Sequence, residues 1–222
     1  MIVAIDGPAG SGKSTIARLL AVRLGFRYLD TGAMYRSVAV AALDAGTPLD
    51  DPDALGALAR AVRISFEHEP GEPLPTRVLL DGRDVTAAIR TPAADRAVSP
   101  VSAAAPVRVA MVALQREIGS RADCVLEGRD IGTVVFPDAE VKVYLTATPE
   151  ERASRRALDR AAAGHEADHA AVLADILRRD THDSTREASP MRRADDAHVV
   201  DTTGLTIEQV VDRVAALVEA AR

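Results

Sequence analysis

The chain has 222 residues, 27 basic and 33 acidic, with a formal charge of −6, and its 47% apolar and 27% charged content is that of a folded globular chain. Three tyrosines, three phenylalanines and no tryptophan leave few rings for base stacking, which argues against broad nucleic-acid binding but leaves room for one small anion in a local basic pocket. No apolar run approaches the roughly 18 residues of a membrane span, no signal peptide is visible, and the lone cysteine, Cys124, can form neither an internal disulfide nor a zinc cluster, so a reducing cytoplasm is the expected location.

Residues 1–6 read as a buried strand ending at a glycine. From Lys13, the apolar positions Ile16, Leu19, Leu20 and Leu24 fall at helical spacing, and Gly25 stops the helix. A second strand over 26–30 leads into a helix running to about residue 43. This strand–helix–strand opening predicts a parallel sheet with right-handed crossovers. Residues 44–62 read as loop plus helix, and 63–69 and 76–82 as strands about a turn marked by Pro70, Gly71, Pro73 and Pro75. The stretch 60–104 therefore reads as an insertion with its own small sheet.

A helix over about 104–120 follows, then strands over 123–127 and 141–147. Thr148-Pro149-Glu150-Glu151 combines a capping box with proline at the first helical position. It opens a helix carrying Arg152, Arg155, Arg156 and Arg160 and ending at Gly164. Another helix over 168–182 precedes a strand over 197–201. Thr206 to Gln209 is a second capping box, and the final helix it opens has Val210, Val211, Val214, Leu217 and Val218 on its apolar face. Five of these strands form one parallel sheet, which defines an α/β fold.

Gly7-Pro8-Ala9-Gly10-Ser11-Gly12-Lys13-Ser14 fits G-x-x-x-x-G-K-[ST] between a predicted strand and a predicted helix. The glycines let backbone N–H groups wrap inward at phosphate oxygens, and the helix adds the positive end of its dipole. Lys13 then neutralises the β- and γ-phosphates, and the Ser14 hydroxyl takes a place on Mg²⁺. Lysine occurs only at 13 and 142, which makes Lys13 informative. Such a loop implies a nucleoside triphosphate without saying what happens to it. A GTP switch reads guanine with an Asn-Lys-x-Asp segment, and this chain has no asparagine. A motor or transport ATPase would carry a partner-coupling segment, and none stands out. A small kinase needs clustered arginines for two facing sets of phosphates. The chain offers Arg36, Arg129, Arg179 and Arg186 near predicted strand ends or within reach of them, with Arg152, Arg156 and Arg160 on one helix face. Another small-molecule P-loop kinase and a non-catalytic nucleotide-binding regulator are the competing readings.

The segments GPAGSGKST, YLDTGAMYR, LDGRDVTAAIRTP, EGRDIGTVVFPDA, RRDTHDSTREASP and the final TIEQV occur in this order along essentially the whole chain. Together they resemble the bacterial cytidylate (CMP) kinase family. The resemblance implies a nucleoside monophosphate kinase fold, with a five-stranded parallel core and helices on both faces. It implies a core of 1–30, 105–147 and 167–222, a monophosphate-binding part with its insert over 31–104, and a short lid over 148–166. The implied reaction transfers the γ-phosphoryl of ATP to CMP or dCMP, with Mg²⁺, in a monomer that binds neither nucleic acid nor membrane.

Residue by residue, the resemblance gives Gly7 to Ser14 and Thr15 to ATP. Thr31, Arg36 and Arg129 would hold the phosphate of the monophosphate; Ser99, Arg108 and Asp130 would read the base; Arg179, Asp183 and Arg186 would hold ribose and phosphates. Ser99 lies in the stretch that matches most loosely. Lys13, Arg129, Arg152 and Arg156 are the candidates for countercharge during transfer. Glu127 either binds a magnesium-shell water or is a turn carboxylate. DGRDV at 81–85 mimics EGRDI, but the family places it in the insert's turn, so Arg83 and Asp84 are not assigned a role. Independently, a carboxylate such as Asp130 accepts from the exocyclic amine of cytosine and would face a lone pair in uracil.

Overall fold

The computed structural model describes residues 1–162 and 168–222. The expected helix stop at Gly164 and the end of the proposed lid lie outside the described residues, as does the side chain of Arg160.

In chain order the elements are β1 (Ile2–Asp6), α1 (Lys13–Leu24), β2 (Arg27–Asp30), α2 (Thr31–Ala45), α3 (Pro52–Ala61), β3 (Ile64–Glu67), β4 (Arg77–Leu80) and β5 (Arg83–Asp84). A short 3₁₀ turn (Ala88–Arg90) precedes α4 (Pro92–Ala103), α5 (Ala105–Gly119) and β6 (Cys124–Glu127). A π-helical turn (Ile131–Val135) then leads to β7 (Val141–Thr146), α6 (Pro149–Ala162), α7 (His169–Thr185), β8 (His198–Asp201) and α8 (Ile207–Ala220). Five strands form the expected parallel sheet in the order β2-β6-β1-β7-β8, and β3-β4-β5 form a separate three-stranded sheet. The chain divides into two compact units, one of Met1–Leu20 with Glu127–Arg222 and one of Ala21–Leu126.

In the first unit, β1 and β7 pair in parallel with Val3 opposite Val141 and Ile5 opposite Val143, and β8 follows with His198 opposite Val143. Val3, Ala4, Ile5, Val143 and Leu145 are all buried, so β1 and β7 read as near-continuous apolar runs rather than as alternation. α8 turns Val210, Val211, Val214 and Val218 inward. Its capping box is complete: the Gln209 amide donates to Thr206 Oγ1 at 3.3 Å and the Thr206 amide to Gln209 Oε1 at 2.9 Å. The box expected at 148–151 forms only by half. The Glu151 amide donates to Thr148 Oγ1 at 3.3 Å, but Arg155 takes the Glu151 carboxylate at 3.0 Å and the Thr148 amide donates instead to Thr203 Oγ1. A full charge on Arg155 outcompetes a backbone amide for that carboxylate. Ala153, Val172 and Ile176 form the apolar seam of α6 and α7, with Leu173 packed on it.

In the second unit, Asp30 caps α2 by accepting from the Ala33 amide at 2.9 Å, so helix follows strand without a loop. Ile64 of β3 faces Leu80 of β4, and the β4–β5 turn has Asp81 and Gly82 at φ 52° and 82°, as an Asp-Gly hairpin turn demands. Arg83 there pairs with Asp44 at the end of α2.

The sequence shows no clear helix signal between 92 and 103, yet α4 (Pro92–Ala103) forms there. Thr91 caps this helix, Pro92 occupies its first turn, and Ala94, Ala97 and Val101 are its buried face. The buried positions are at helical spacing, but two of the three are alanines of little hydrophobic contrast and Pro100 interrupts the pattern near the end, which hides the helix. α4 and α5 meet at a 96° bend. No single helix among the described residues is long and apolar enough to cross a membrane.

Candidate active site

β1 stops at Asp6 and α1 starts at Lys13, so the glycine-rich loop lies at the carboxyl end of a central strand, where parallel sheets bind ligands. Gly7 has φ 149°, and a Cβ there would stand 2.0 Å from the Leu145 carbonyl oxygen, so no other residue fits against β7. Lys13 is buried; its ammonium donates to the Pro8 carbonyl at 2.7 Å and to Ser11 Oγ at 3.4 Å. Burial, helped by the nearby Arg129 charge, pulls the Lys13 pKa down from its ordinary value to about 7, against the pull of Glu127, Asp6 and Asp183. Ser14 and Thr15 are exposed on the first turn of α1, and Ser14 Oγ donates to Glu127 Oε1 at 2.6 Å.

Arg152 is buried and braces the loop from α6. Its Nε donates to the Ala147 carbonyl at 3.2 Å, and its Nη1 to the Ala9 carbonyl at 2.9 Å and to Asp180 Oδ2 at 2.6 Å. The other Asp180 oxygen accepts from the Ala9 amide at 3.4 Å. Arg155, one residue off the expected arginine face, donates to Thr202 Oγ1 and to its carbonyl, both at 2.8 Å. Arg156 lies half-buried beyond it on α6.

The segment after β6 carries the next charges. The Gly128 amide donates to the Ile5 carbonyl at 3.0 Å, holding the turn against β1. Arg129 Nε donates to Asp183 Oδ2 at 3.1 Å. Burial works against the Arg129 charge, but Asp183 and Glu127 more than restore it, so its pKa is raised. Asp130 is buried with Arg186 Nη2 3.6 Å from its Oδ1, and Arg186 Nη1 stands 3.9 Å from Asp183 Oδ1. Arg179 is half-buried on α7.

The first unit thus gathers Lys13, Ser14, Glu127, Arg129, Asp130, Arg152, Asp183 and Arg186. The second unit carries the other set. Thr31 is buried at the start of α2, and Arg36 donates to Asp95 Oδ1 from Nε at 3.3 Å and from Nη2 at 3.0 Å. Arg108 is buried on α5, donates to the Ser102 carbonyl at 3.1 Å and lies 5.3 Å from the centre of the Tyr35 ring. Ser99 is half-buried on α4 and its carbonyl accepts from Ser102 Oγ at 3.1 Å.

Sequence reasoning passed over two carboxylates of the first unit. Asp180 was readable, since it precedes Asp183 by one helical turn in RRDTHDSTR. In the sequence Asp6 reads only as the end of a strand. It accepts from the Ile131 amide on Oδ1 and from the Gly132 amide on Oδ2, both at 2.8 Å. Burial pushes its pKa up to about 6 despite those two bonds.

A loop of main-chain amides with Lys13 in its hollow and Ser14 at the helix start defines a P-loop fold that binds a nucleoside triphosphate. A solved structure of an uncharacterized protein from Eubacterium ventriosum shares the fold at a TM-score of 0.54 and 10% identity, covering 99% of each chain. The sequence matches the cytidylate kinase family over residues 3–220. It is 50% identical to a cytidylate kinase of Geobacter sulfurreducens, over 98% of this chain and 92% of that one. It is 51% identical to a cytidylate kinase of Corynebacterium glutamicum, over 99% and 95% of the two chains. The chain belongs to the cytidylate kinase family and is an ATP-dependent phosphotransferase that acts on nucleotides.

Proposed function

We propose that this chain transfers the γ-phosphoryl of ATP to CMP or dCMP, giving CDP or dCDP and ADP. The observation that carries the reading is the cationic cluster of the first unit, Lys13, Arg129, Arg152 and Arg186, each tied to a carboxylate or carbonyl within one compact unit. Phosphoryl transfer between two anions requires such fixed countercharge.

Residues 7–15 cradle the ATP phosphates, Lys13 neutralises their outer charge, and Arg152 and Arg156 supply countercharge from α6. Arg129 meets the phosphate of the acceptor, together with Thr31 and Arg36 of the second unit. Arg179, Asp183 and Arg186 hold ribose and phosphates; Asp130, Arg108 and Ser99 read the base. No general base is required, because the acceptor is a phosphate monoester with a second pKa near 6 and is mostly dianionic at neutral pH. The same reading takes 1–30, 105–147 and 167–222 as the core, 31–104 as the monophosphate-binding part and 148–166 as the lid.

Magnesium fits the donor set. Ser14 spends its proton on Glu127 and keeps its lone pairs, so two hard oxygens stand together at the start of α1. Among the described residues there is no group of three or more His, Cys, Asp or Glu able to hold a metal, which suits an ion that takes its remaining places from phosphate oxygens and water. Magnesium would screen the phosphate charge when bound. Ser14 would ligate it, and Glu127 would orient a water of its shell. The chain acts as a cytoplasmic monomer and binds neither nucleic acid nor membrane.

A coupled assay with ATP and Mg²⁺ across CMP, dCMP, UMP, AMP and GMP tests the reading. Turnover of CMP and dCMP above all others is expected, and a preference for AMP or UMP overturns the base assignment. Asp130→Ala should lower the preference for cytosine over uracil by about tenfold to hundredfold, the loss of one buried polar contact. Unchanged selectivity in that variant removes Asp130 from base reading.

A further inference from the structure

Asp6 is a buried carboxylate that no step above uses. Its two oxygens accept from two successive amides, those of Ile131 and Gly132, at 2.8 Å each. Only an ionised carboxylate serves both: an asparagine would offer one oxygen to one amide and turn its own NH₂ toward the other. These amides open the π-helical turn over Ile131–Val135, immediately after Arg129 and Asp130.

The far side of this turn is held as well. Lys142, buried on β7, runs its stem past Gly132 so closely that a Cβ there would stand 3.2 Å from Lys142 Cγ and Cδ. Its ammonium donates to the Pro137 carbonyl and to Asp196 Oδ2, closing the segment at its other end. Of the charges that bear on Asp6, Asp130 opposes its ionisation and Lys13 favours it.

We propose that Asp6 is a positioning residue for phosphoryl transfer: it clamps the Ile131 and Gly132 amides so that Arg129 and Asp130, the two residues before them, meet the acceptor nucleotide in fixed geometry. This inference rests on the phosphoryl-transfer reading above. Removing a carboxylate that served only stability would lower the melting temperature and leave the kinetic constants of the folded enzyme alone. A positioning carboxylate acts on the acceptor side, because misplacing a contact by an ångström costs about a hundredfold.

The test compares wild type, Asp6→Asn and Gly132→Ala for kcat and for KM of CMP and of ATP, with amide exchange followed at Ile131 and Gly132. For Asp6→Asn, kcat/KM for CMP should fall by about a hundredfold, with KM for ATP within about threefold of wild type. At least one of the two amides should lose protection. Gly132→Ala keeps the carboxylate but pushes the turn from the Lys142 side, and should shift the CMP constants in the same direction by less. Wild-type constants for CMP in a folded Asp6→Asn enzyme, equal losses on both substrates, or unaltered protection of both amides would overturn the proposal. Should Asp6→Asn not fold, unchanged CMP constants in Gly132→Ala overturn it. A wild-type chain inactive on every monophosphate overturns the functional reading and this proposal with it, while amide exchange still tells whether the clamp exists.

Discussion

Lys13 holds its proton loosely. Burial beside Arg129 pulls its pKa down from the ordinary lysine value to about 7, so the amine gives up its proton far more readily than a free lysine. Phosphate oxygens in the loop favour the charged form and raise that pKa. Binding of ATP at pH 8 should therefore take up as much as about one proton, and the uptake should shrink as pH falls below 7. Calorimetry in two buffers of different ionisation enthalpy measures it. Lys13→Met should abolish the uptake along with most turnover while the fold persists; an uptake unchanged in that variant would assign the proton elsewhere.

Helix ends decide much of the local structure here, and they differ in how openly the sequence displays them. Thr206 and Gln209 form a complete capping box, so Thr206→Ala should lower stability by about 1 kcal/mol. Urea unfolding would show the midpoint moving at constant slope, with CMP turnover untouched. The P-loop, the βαβ opening and the insert's small sheet were legible because each rests on local grammar: glycines at set spacing, apolar periodicity, proline-rich turns. The half-formed box at Thr148 was not, because the outcome hinged on Arg155 and Thr203 competing for its groups. α4 was hidden for another reason, since its buried face is built from Ala94 and Ala97. Asp6 was illegible altogether: its partners are amides more than 120 residues away, and nothing in a strand-end aspartate announces them.

At the scale of the whole molecule, the residues assigned to nucleotide are shared out between two compact units. The triphosphate set falls wholly in one of them. ADP with Mg²⁺ should accordingly slow hydrogen exchange over residues 7–15 and leave 31–36 and 95–108 as in the free protein. CMP should protect 31–36, 95–108 and 129–130. Mass-spectrometric exchange reads both, and protection of the second unit by ADP alone would contradict the division of roles.

Both lysines of this chain are buried, Lys13 in the loop and Lys142 on β7. The outward basic side chains are therefore guanidinium groups throughout, apart from histidine. Lys142 is committed to the Pro137 carbonyl and Asp196, whereas Lys13 lies in the loop that admits ATP. An N-hydroxysuccinimide ester should leave Lys142 unmodified until the fold is opened by denaturant, and should reach Lys13 in native protein only where ATP does not cover it. Acylation kinetics at Lys142 would then serve as a built-in gauge of local opening, needing no introduced probe.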